Sequence, residues 1–479
     1  SNILSTHSNP PLFFYLTDLV YKLFGYTTLA SRFWPLIFGT LLIPLSYLIT
    51  RKFFNEKVSI LAALFVTFST FLIKLTYTEQ SLVVLFFSIL GIYLGLDYID
   101  KEKPATFYLS AVMFGLALLT KYSAPFFILS FLIFAPVYAK FKNKKFYSRK
   151  NFKHIFTFLI ILIVFSAPFL VFNYLIYKDK GIVDVYFSRI VKLNSTQEFY
   201  QGLAGQERSF FDNIKSLNSY ASFFVLPKTE LILFLFSIAG IFLMFSRKEK
   251  TALKFIIITF LIVFILQSAG SPLPKHFVFM PLLLSIPAAY SLNILIEKTS
   301  KNKIIISILV ILLIVNLLLV SANFPSSYLT PSSTSQLKSY INKNVPDSDL
   351  VVFDSRIYTA RTFWLAADKS FLSLTDFFAV YQNNIDSPNN SPTNIYFVEC
   401  KIDDCGWGFV FQNQNLNSTA EYLFENLRNY SQEKTQIYER ETIFREKKEI
   451  YTVYKIQVMF DQSLIPQAKE LQTFYFTPY

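Results

Sequence analysis

Long apolar runs separated by short polar loops are the feature that most constrains how this chain can fold. Apolar residues make up 53% of the sequence and charged residues only 16%, whereas about a quarter of the residues in an average soluble protein are charged. A helix needs about 20 apolar residues to cross the hydrocarbon layer of a membrane. The pattern therefore predicts a polytopic α-helical membrane bundle. Its ten predicted spanning helices lie at about 33–50, 58–76, 80–97, 105–120, 123–139, 154–177, 230–246, 253–269, 277–296 and 303–322.

The loops between these runs alternate between basic and weakly charged. The basic loops lie at about 51–57, 101–103, 139–153, 246–250 and 297–303. Because cationic loops stay in the cytoplasm, this alternation predicts that the N-terminus, the long loop at 178–229 and everything after about residue 323 lie outside. The net charge of +13 is then a topology signal and not a nucleic-acid-binding surface. A first visible span that enters from outside also predicts one more helix upstream of Ser1.

The composition changes at about residue 323, where a linker rich in serine and proline begins. Beyond this linker, short apolar strands alternate with helices, which predicts a small α/β domain. The sequence thus predicts a transmembrane domain over 1–323 and an extracytoplasmic α/β domain over 324–479. The predicted helices of the second domain lie at 334–345, 358–367 and 419–430, and its strands at 349–354, 394–400 and 449–458.

The chain has two cysteines, Cys400 and Cys405. On the oxidising outer side they could close a small disulfide loop. A zinc site is the less favoured interpretation, because two cysteines without a nearby histidine make a poor ligand set.

The N-terminal segment at 1–27 contains a rigid turn at Pro10 and Pro11. The residues that follow place aromatic side chains on one helical face and Asp18 and Lys22, four residues apart, on the other. Such a helix is more typical of a membrane surface than of a membrane span. We therefore expect an outer loop followed by an interfacial helix at the outer membrane surface.

Several motifs follow one another between residue 7 and the end of the predicted spans. They are HSNPPLFFYL at 7–16, LASRFWPLIFG at 29–39, TEQSLVVLFF at 78–87, FGLALLTKYSA at 114–124 and LPKHFVFMPLLL at 273–284. In this order they resemble the GT-C superfamily glycosyltransferases of the protein O-mannosyltransferase and aminoarabinose-transferase type, over residues 7 to about 325. The resemblance implies transfer of a sugar from a polyprenyl- or dolichyl-phosphate carrier to a protein, lipid or cell-envelope acceptor on the outer face. Membrane lipids are further expected partners, and nucleic acid is not.

Such a reaction requires cations near the lipid phosphate, because this leaving group gains negative charge. Four residues at predicted outer helix ends are the predicted phosphate contacts: Arg32, Lys121, Lys275 and His276. Three of them precede or begin a helix, where a cation opposes the helix dipole by about 0.3–1 kcal/mol. That cost favours a functional reason. Lys121 instead ends its helix, where a cation is favourable anyway, and its role is implied by the Leu-Thr-Lys motif. Contact with lipid headgroups is the alternative for these cations.

The reaction also requires a carboxylate that takes the proton from the acceptor hydroxyl. The resemblance implies that the principal catalytic acid lies in an outer loop upstream of Ser1. Glu79 is then the best acid within the chain, with ordinary helix capping as its alternative role. His7, Asn9 and Arg189 are predicted substrate contacts. No cofactor is predicted with certainty: a divalent metal would suit the chemistry, but no set of ligands indicates one.

Two other functions are compatible with the sequence. A transporter or lipid flippase usually has broken helices and ionisable residues near the membrane midplane. Here the predicted spans carry few charges, and the whole chain has only 12 glycines, which disfavours this class. A non-catalytic relative of the glycosyltransferases would keep the fold and lack the base. The residues upstream of Ser1 would distinguish that relative from the enzyme.

Overall fold

The chain divides into two compact units, each with its own set of contacts. The helical unit comprises Thr6–Gln197 and Gly205–Val320, and the sheet unit comprises Ser1–Ser5, Glu198–Ala204 and Ser321–Tyr479. The computed structural model describes residues 10–25, 28–75, 80–147, 149–181, 183, 231–268, 277–299, 333–354, 357, 365–366, 369–374, 377, 380–381, 386–400, 431–440, 447–461 and 463.

Apolar helices make up the described part of the helical unit. They are α1 (Leu12–Phe24), α2 (Thr28–Arg51), α3 (Glu56–Thr67), α4 (Thr70–Leu75), α5 (Gln80–Lys101), α6 (Pro104–Thr120), α7 (Ala124–Phe141), α8 (Arg149–Lys180), α9 (Leu231–Ser246), α10 (Lys250–Ser268) and α11 (Phe279–Thr299). Within the described residues, α2, α5, α7, α8 and α11 are long and apolar enough to cross a membrane. The predicted span at 303–322 lies outside the described residues, so the count of ten stays a prediction.

The single span predicted at 58–76 is two helices in the structure. α3 ends at Thr67, and the next amide, of Phe68, still bonds to Leu64 O. Ser69 then begins the next helix, because its hydroxyl accepts a hydrogen bond from the Leu72 amide (3.3 Å). This is the capping chemistry that begins a new helix, and an apolar run gives no sign of it.

Small residues bring some helices unusually close together. Ser237 of α9 donates its hydroxyl to Leu284 O of α11 (2.8 Å), and Ser291 of α11 donates to Phe236 O of α9 (2.7 Å). About one turn further along α9 lies Gly240, where an added Cβ would overlap the backbone carbonyl of Pro287. Hydroxyl bonds and a bare glycine surface are the devices by which membrane helices pack closely.

Gly240→Ala should therefore destabilise the helical unit by about 3 kcal/mol, the upper end of the usual overpacking range. The added methyl group meets backbone that can move only if α9 and α11 separate. Gly91→Ala is the matched control, because its Cβ would meet the movable Phe114 ring at 3.0 Å. We expect a smaller loss there, offset by the better helix propensity of alanine. Thermal unfolding of both variants in detergent measures the difference, and equal melting temperatures would disprove the close approach.

Helix α1 is too short to cross a membrane, since 13 residues span only about 20 Å. Its apolar side chains Tyr15, Leu19 and Leu23 are exposed, while Val20 is buried. On its polar face Lys22 pairs with Asp18 (2.8 Å). The geometry matches the amphipathic helix expected from the sequence.

The sheet unit contains one helix and a five-stranded sheet within its described residues. The elements are α12 (Ser333–Asn344), β1 (Leu350–Phe353), β2 (Phe371–Ser373), β3 (Asn390–Cys400), β4 (Ser431–Arg440) and β5 (Lys447–Asp461). The strand order is β2-β1-β3-β5-β4, with β1 parallel to β2 and β3, and β5 antiparallel to β3 and β4. A mostly helical chain with a C-terminal α/β unit was predicted, and this fold class is confirmed.

The strands that were predicted correctly are those with apolar runs. β1, β3 and β5 have side chains buried on both faces of the sheet, in two separate clusters. β4 was missed because its sequence, SQEKTQIYER, is polar, as suits an edge strand. β2 was missed because it has only three residues. The predicted helices at 358–367 and 419–430 fall largely or wholly outside the described residues.

Cys400 ends β3 and is disulfide-bonded. The chain's second cysteine, Cys405, lies outside the described residues. Asp354 lies beside Cys400: it is buried and accepts a hydrogen bond from the Cys400 amide (3.0 Å).

Candidate active site

Helices α2 and α5 run in the same direction, which defines two ends of the bundle. Near their starts Phe38 packs against Phe87, with ring centroids 5.0 Å apart. At their other ends Lys52 forms ion pairs with Asp97 (2.7 Å) and Asp100 (2.8 Å). We call the end near Phe38 and Phe87 the Arg32 end, and the end near Lys52 the Lys52 end.

Lys121 terminates α6 at the Arg32 end. Its backbone is extended (φ −157°), and its amide closes the helix by bonding to Ala117 O (3.1 Å). The side chain is only 8% exposed, and its Nζ donates to Ser81 Oγ of α5 (2.6 Å). Ser81 is itself buried. A buried ammonium group costs several kcal/mol of solvation, so a lysine placed here is a strong candidate for function.

The surroundings of Lys121 are apolar. One cluster combines side chains from α1, α2, α5, α6 and α7 at this end of the bundle. Its members include Phe13, Trp34, Phe38, Val83, Val84, Phe87, Ala117 and Ala124. The Trp34 indole donates to Leu16 O (2.7 Å) and so ties α1 to α2. An apolar environment at this end of the bundle strengthens charge interactions made beside it.

Arg32 lies in the second turn of α2 and is half-buried. It precedes Phe38 by six residues, just as Ser81 precedes Phe87 by six residues. Since Phe38 and Phe87 are in contact and the helices run in the same direction, Arg32 and Ser81 lie at similar heights along the bundle. The structure therefore brings Arg32 and Lys121 to the same end of the bundle.

Six predicted site residues lie outside the described residues: His7, Asn9, Glu79, Arg189, Lys275 and His276. Two of their described neighbours are informative. Gln80 begins α5 directly after Glu79, one residue before the partner of Lys121. The chain resumes at Phe277, and Phe279 packs against Phe127 near the start of α7 (6.2 Å between centroids). Both neighbours are at the Arg32 end.

Sequence reasoning missed the ionic cluster at the Lys52 end. Lys52 was interpreted only as part of a basic loop, yet its side chain is 11% exposed and lies between two carboxylates. Tyr138 of α7 donates its hydroxyl to Asp100 (3.0 Å). A signal was available: Asp97 and Asp100 stand in the last turns of α5, where a negative charge opposes the helix dipole. Carboxylates kept in that place require a buried cation.

The ammonium of Lys52 stays charged. Burial lowers the pKa of Lys52, but hydrogen bonds and charge attraction from Asp100 and Asp97 outweigh it and hold the pKa above its ordinary value of 10.5. In the described part of the chain no group of His, Cys, Asp and Glu side chains is arranged to hold a metal ion.

Comparison with known proteins places this geometry within a class. Residues 8–172 match the family described as dolichyl-phosphate-mannose-protein mannosyltransferase. An uncharacterized protein from Aquifex aeolicus (strain VF5) is 30% identical over 129 residues, which are 26% of this chain and 26% of that protein. The match thus spans about a quarter of the length of this curated relative.

Solved structures extend the likeness over nearly the whole chain. The chain is similar to ArnT from Cupriavidus metallidurans bound to undecaprenyl phosphate, with a TM-score of 0.58, 12% identity, and coverage of 95% of this chain and 89% of ArnT. Against ArnT in the apo state the TM-score is 0.55, at 13% identity, with coverage of 95% and 88%. The resemblance to the GT-C glycosyltransferases is therefore confirmed, and at this identity the structural likeness establishes the fold.

Proposed function

We propose that this protein is a membrane glycosyltransferase that takes a sugar from a polyprenyl-phosphate carrier and gives it to an acceptor at the Arg32 end of the bundle. The observation that carries the proposal is the buried ammonium group of Lys121, which donates to Ser81 at the end of the bundle that holds an apolar cluster. The match to a mannosyltransferase family over 8–172 supports it. So does the fold shared with ArnT, a structure of which is described as bound to undecaprenyl phosphate.

The chemistry assigns a distinct task to each side chain. The acceptor hydroxyl oxygen attacks the anomeric carbon as the bond from that carbon to the phosphate oxygen breaks, which inverts the configuration. The bonding electron pair stays on the phosphate. Lys121 and Arg32 stabilise the charge that accumulates there, an effect worth most in a water-excluded site. On sequence grounds Lys275 and His276 join them.

A carboxylate must take the proton of the acceptor hydroxyl. Glu79 is proposed for a position near the sugar, because it directly precedes α5 and lies two residues before Ser81. His7, Asn9 and Arg189 are proposed as substrate contacts on the same sequence grounds. The positive-inside pattern supports an outer location for this site and for the α/β domain, in a cell membrane.

The first test uses the full gene product in detergent with polyprenyl-phosphate sugars labelled in the sugar, and a membrane extract as the source of acceptors. Label should move to an acceptor while free polyprenyl phosphate is released in equal amount. In parallel, undecaprenyl phosphate should raise the melting temperature, because a ligand that binds only the folded state stabilises it. Movement of the intact labelled lipid across vesicles, with no bond broken, would instead show a flippase.

A further inference from the structure

A cavity of about 300 Å³ lies at the Lys52 end, far along the bundle from Lys121. It is formed where α5 and α7 end and where the loop at 142–148 leads into α8. Ile99, Ala139 and Phe146 supply apolar lining, and Tyr98, Glu102, Asn143, Lys144, Lys145 and Asn151 supply polar lining. Its volume lies at the lower end of the range for small-molecule sites, which suits a compact headgroup.

Hydrogen bonds hold the side chains of the cavity's polar wall in place. The Tyr98 hydroxyl donates to Asn151 Oδ1 (3.1 Å), and Asn151 Nδ2 donates to Lys145 O (3.0 Å) and Phe146 O (3.1 Å). These bonds fix the loop to the first turn of α8. Lys144 Nζ donates to Ile99 O (2.7 Å) and Asp100 O (2.9 Å) and pairs with Glu102 (3.2 Å). The Glu102 carboxylate is therefore balanced by Lys144.

Lys145 also lines the cavity, and its ammonium group is not paired with a described residue. No hydrogen bond or ion pair with another described residue engages its exposed ammonium group. The N-terminus of α8, a long helix that begins at Arg149, adds partial positive charge nearby. The cavity thus combines an uncommitted cation, a helix N-terminus and the amide side chain of Asn143, which are groups that recognise phosphate.

Exposed aromatic residues lie close in sequence to residues that line the cavity. Phe141, Tyr147 and Phe152 are 55%, 64% and 69% exposed, and they stand beside the cavity-lining residues Asn143, Phe146 and Asn151. Aromatic rings beside cationic residues are typical of the level of lipid headgroups. Basic pockets between membrane helices at this level take anionic headgroups. The apolar lining would then meet the glycerol and the beginning of an acyl chain.

We propose that this cavity binds the phosphodiester headgroup of an anionic membrane lipid, with Lys145 as its charged contact. The site is separate from the site of sugar transfer and does not depend on that function. It serves as an anchor for a bound lipid at the face that carries the basic loops. Free phosphate esters offer the same charge without the lipid body, so the experiment has to separate these two sources.

The test measures lipid binding to the delipidated full chain in neutral detergent by native mass spectrometry. The probes are dioctanoyl phosphatidylglycerol, dioctanoyl phosphatidylcholine and glycerol 1-phosphate. Phosphatidylglycerol should bind and phosphatidylcholine should bind much more weakly. Lys145→Gln should weaken phosphatidylglycerol binding about tenfold, the effect of losing one charge-assisted hydrogen bond.

Lys57→Gln is the matched control, because Lys57 is exposed in the first turn of α3 at the same end of the bundle and does not line this cavity. It should bind like the wild type. Equal weakening in both variants would show general charge attraction and overturn the proposal, as would equal binding of the two lipids. If glycerol 1-phosphate displaces phosphatidylglycerol at equal concentration, the site takes free phosphate esters and the assignment to a lipid is wrong.

Discussion

Lys121→Met is expected to lower the rate of sugar transfer by about 10²- to 10³-fold, the usual effect of removing one donor that stabilises developing negative charge. In the proposed mechanism the lost interaction is made to the leaving phosphate, so the fall should appear in kcat as well as in kcat/KM. Methionine is close to lysine in shape and suits the apolar surroundings of Lys121. The melting temperature should therefore stay the same or rise.

Three comparisons separate a role of Lys121 in transfer from a general effect of substitution. Ser81→Ala removes only the hydroxyl that holds the ammonium group, and we expect a smaller loss than for Lys121→Met. Lys140→Met changes an exposed lysine at the other end of the bundle and should have no effect. Undecaprenyl phosphate should stabilise the wild type and Lys140→Met but hardly stabilise Lys121→Met. Wild-type turnover in a folded Lys121→Met protein would remove Lys121 from the site.

The sequence predicts candidate site residues where a cation stands in a recognisable motif. Lys121 and Arg32 are candidates of this kind, and the structure places both at one end of the bundle, where their role is a proposal. Ser81 was not found, because a serine in the first turn of a helix looks like ordinary capping. Its contact with Lys121 joins residues 40 positions apart, and a single sequence carries no sign of such a pairing.

The fold was predictable where an element is a continuous run of apolar residues. The long spans α5 and α8 and the buried strand β3 are continuous apolar runs, so their limits were nearly correct. The break between α3 and α4 depends on one hydroxyl of Ser69, and the edge strand β4 depends on pairing with β5. Local hydrogen bonds and long-range strand pairing determine these features, and the pattern of apolar residues predicts neither.

The ionic cluster at the Lys52 end gives the largest expected effect on stability. Lys52→Met should lower the free energy of unfolding by about 3 kcal/mol, because it leaves the buried Asp97 and the partly buried Asp100 without their shared cation. Breaking a buried ion pair from one side typically costs 3–5 kcal/mol. We expect the low end, since Lys101 still contacts Asp97 (3.1 Å) and Tyr138 still contacts Asp100.

Lys101→Met provides the matched control, because Lys101 pairs with the same Asp97 carboxylate but its side chain is 56% exposed. An exposed pair contributes about 0–1 kcal/mol, so this variant should unfold almost like the wild type. Adding Asp97→Asn to Lys52→Met should recover part of the loss by removing the uncompensated charge. Equal loss in Lys52→Met and Lys101→Met would show that the cluster is no more than a surface network.

The pH dependence of unfolding in detergent separates loss of charge from loss of packing at Lys52. A raised pKa means that the ammonium group contributes its full stabilisation below 10.5, its ordinary value, and loses it as pH rises through the higher folded-state pKa. The difference in stability between wild type and Lys52→Met should therefore be constant from neutral pH to about pH 10 and shrink above it. A difference that persists unchanged at higher pH would assign the effect to the packing of the Lys52 side chain against Tyr93 (4.9 Å to the ring centroid) and not to its charge.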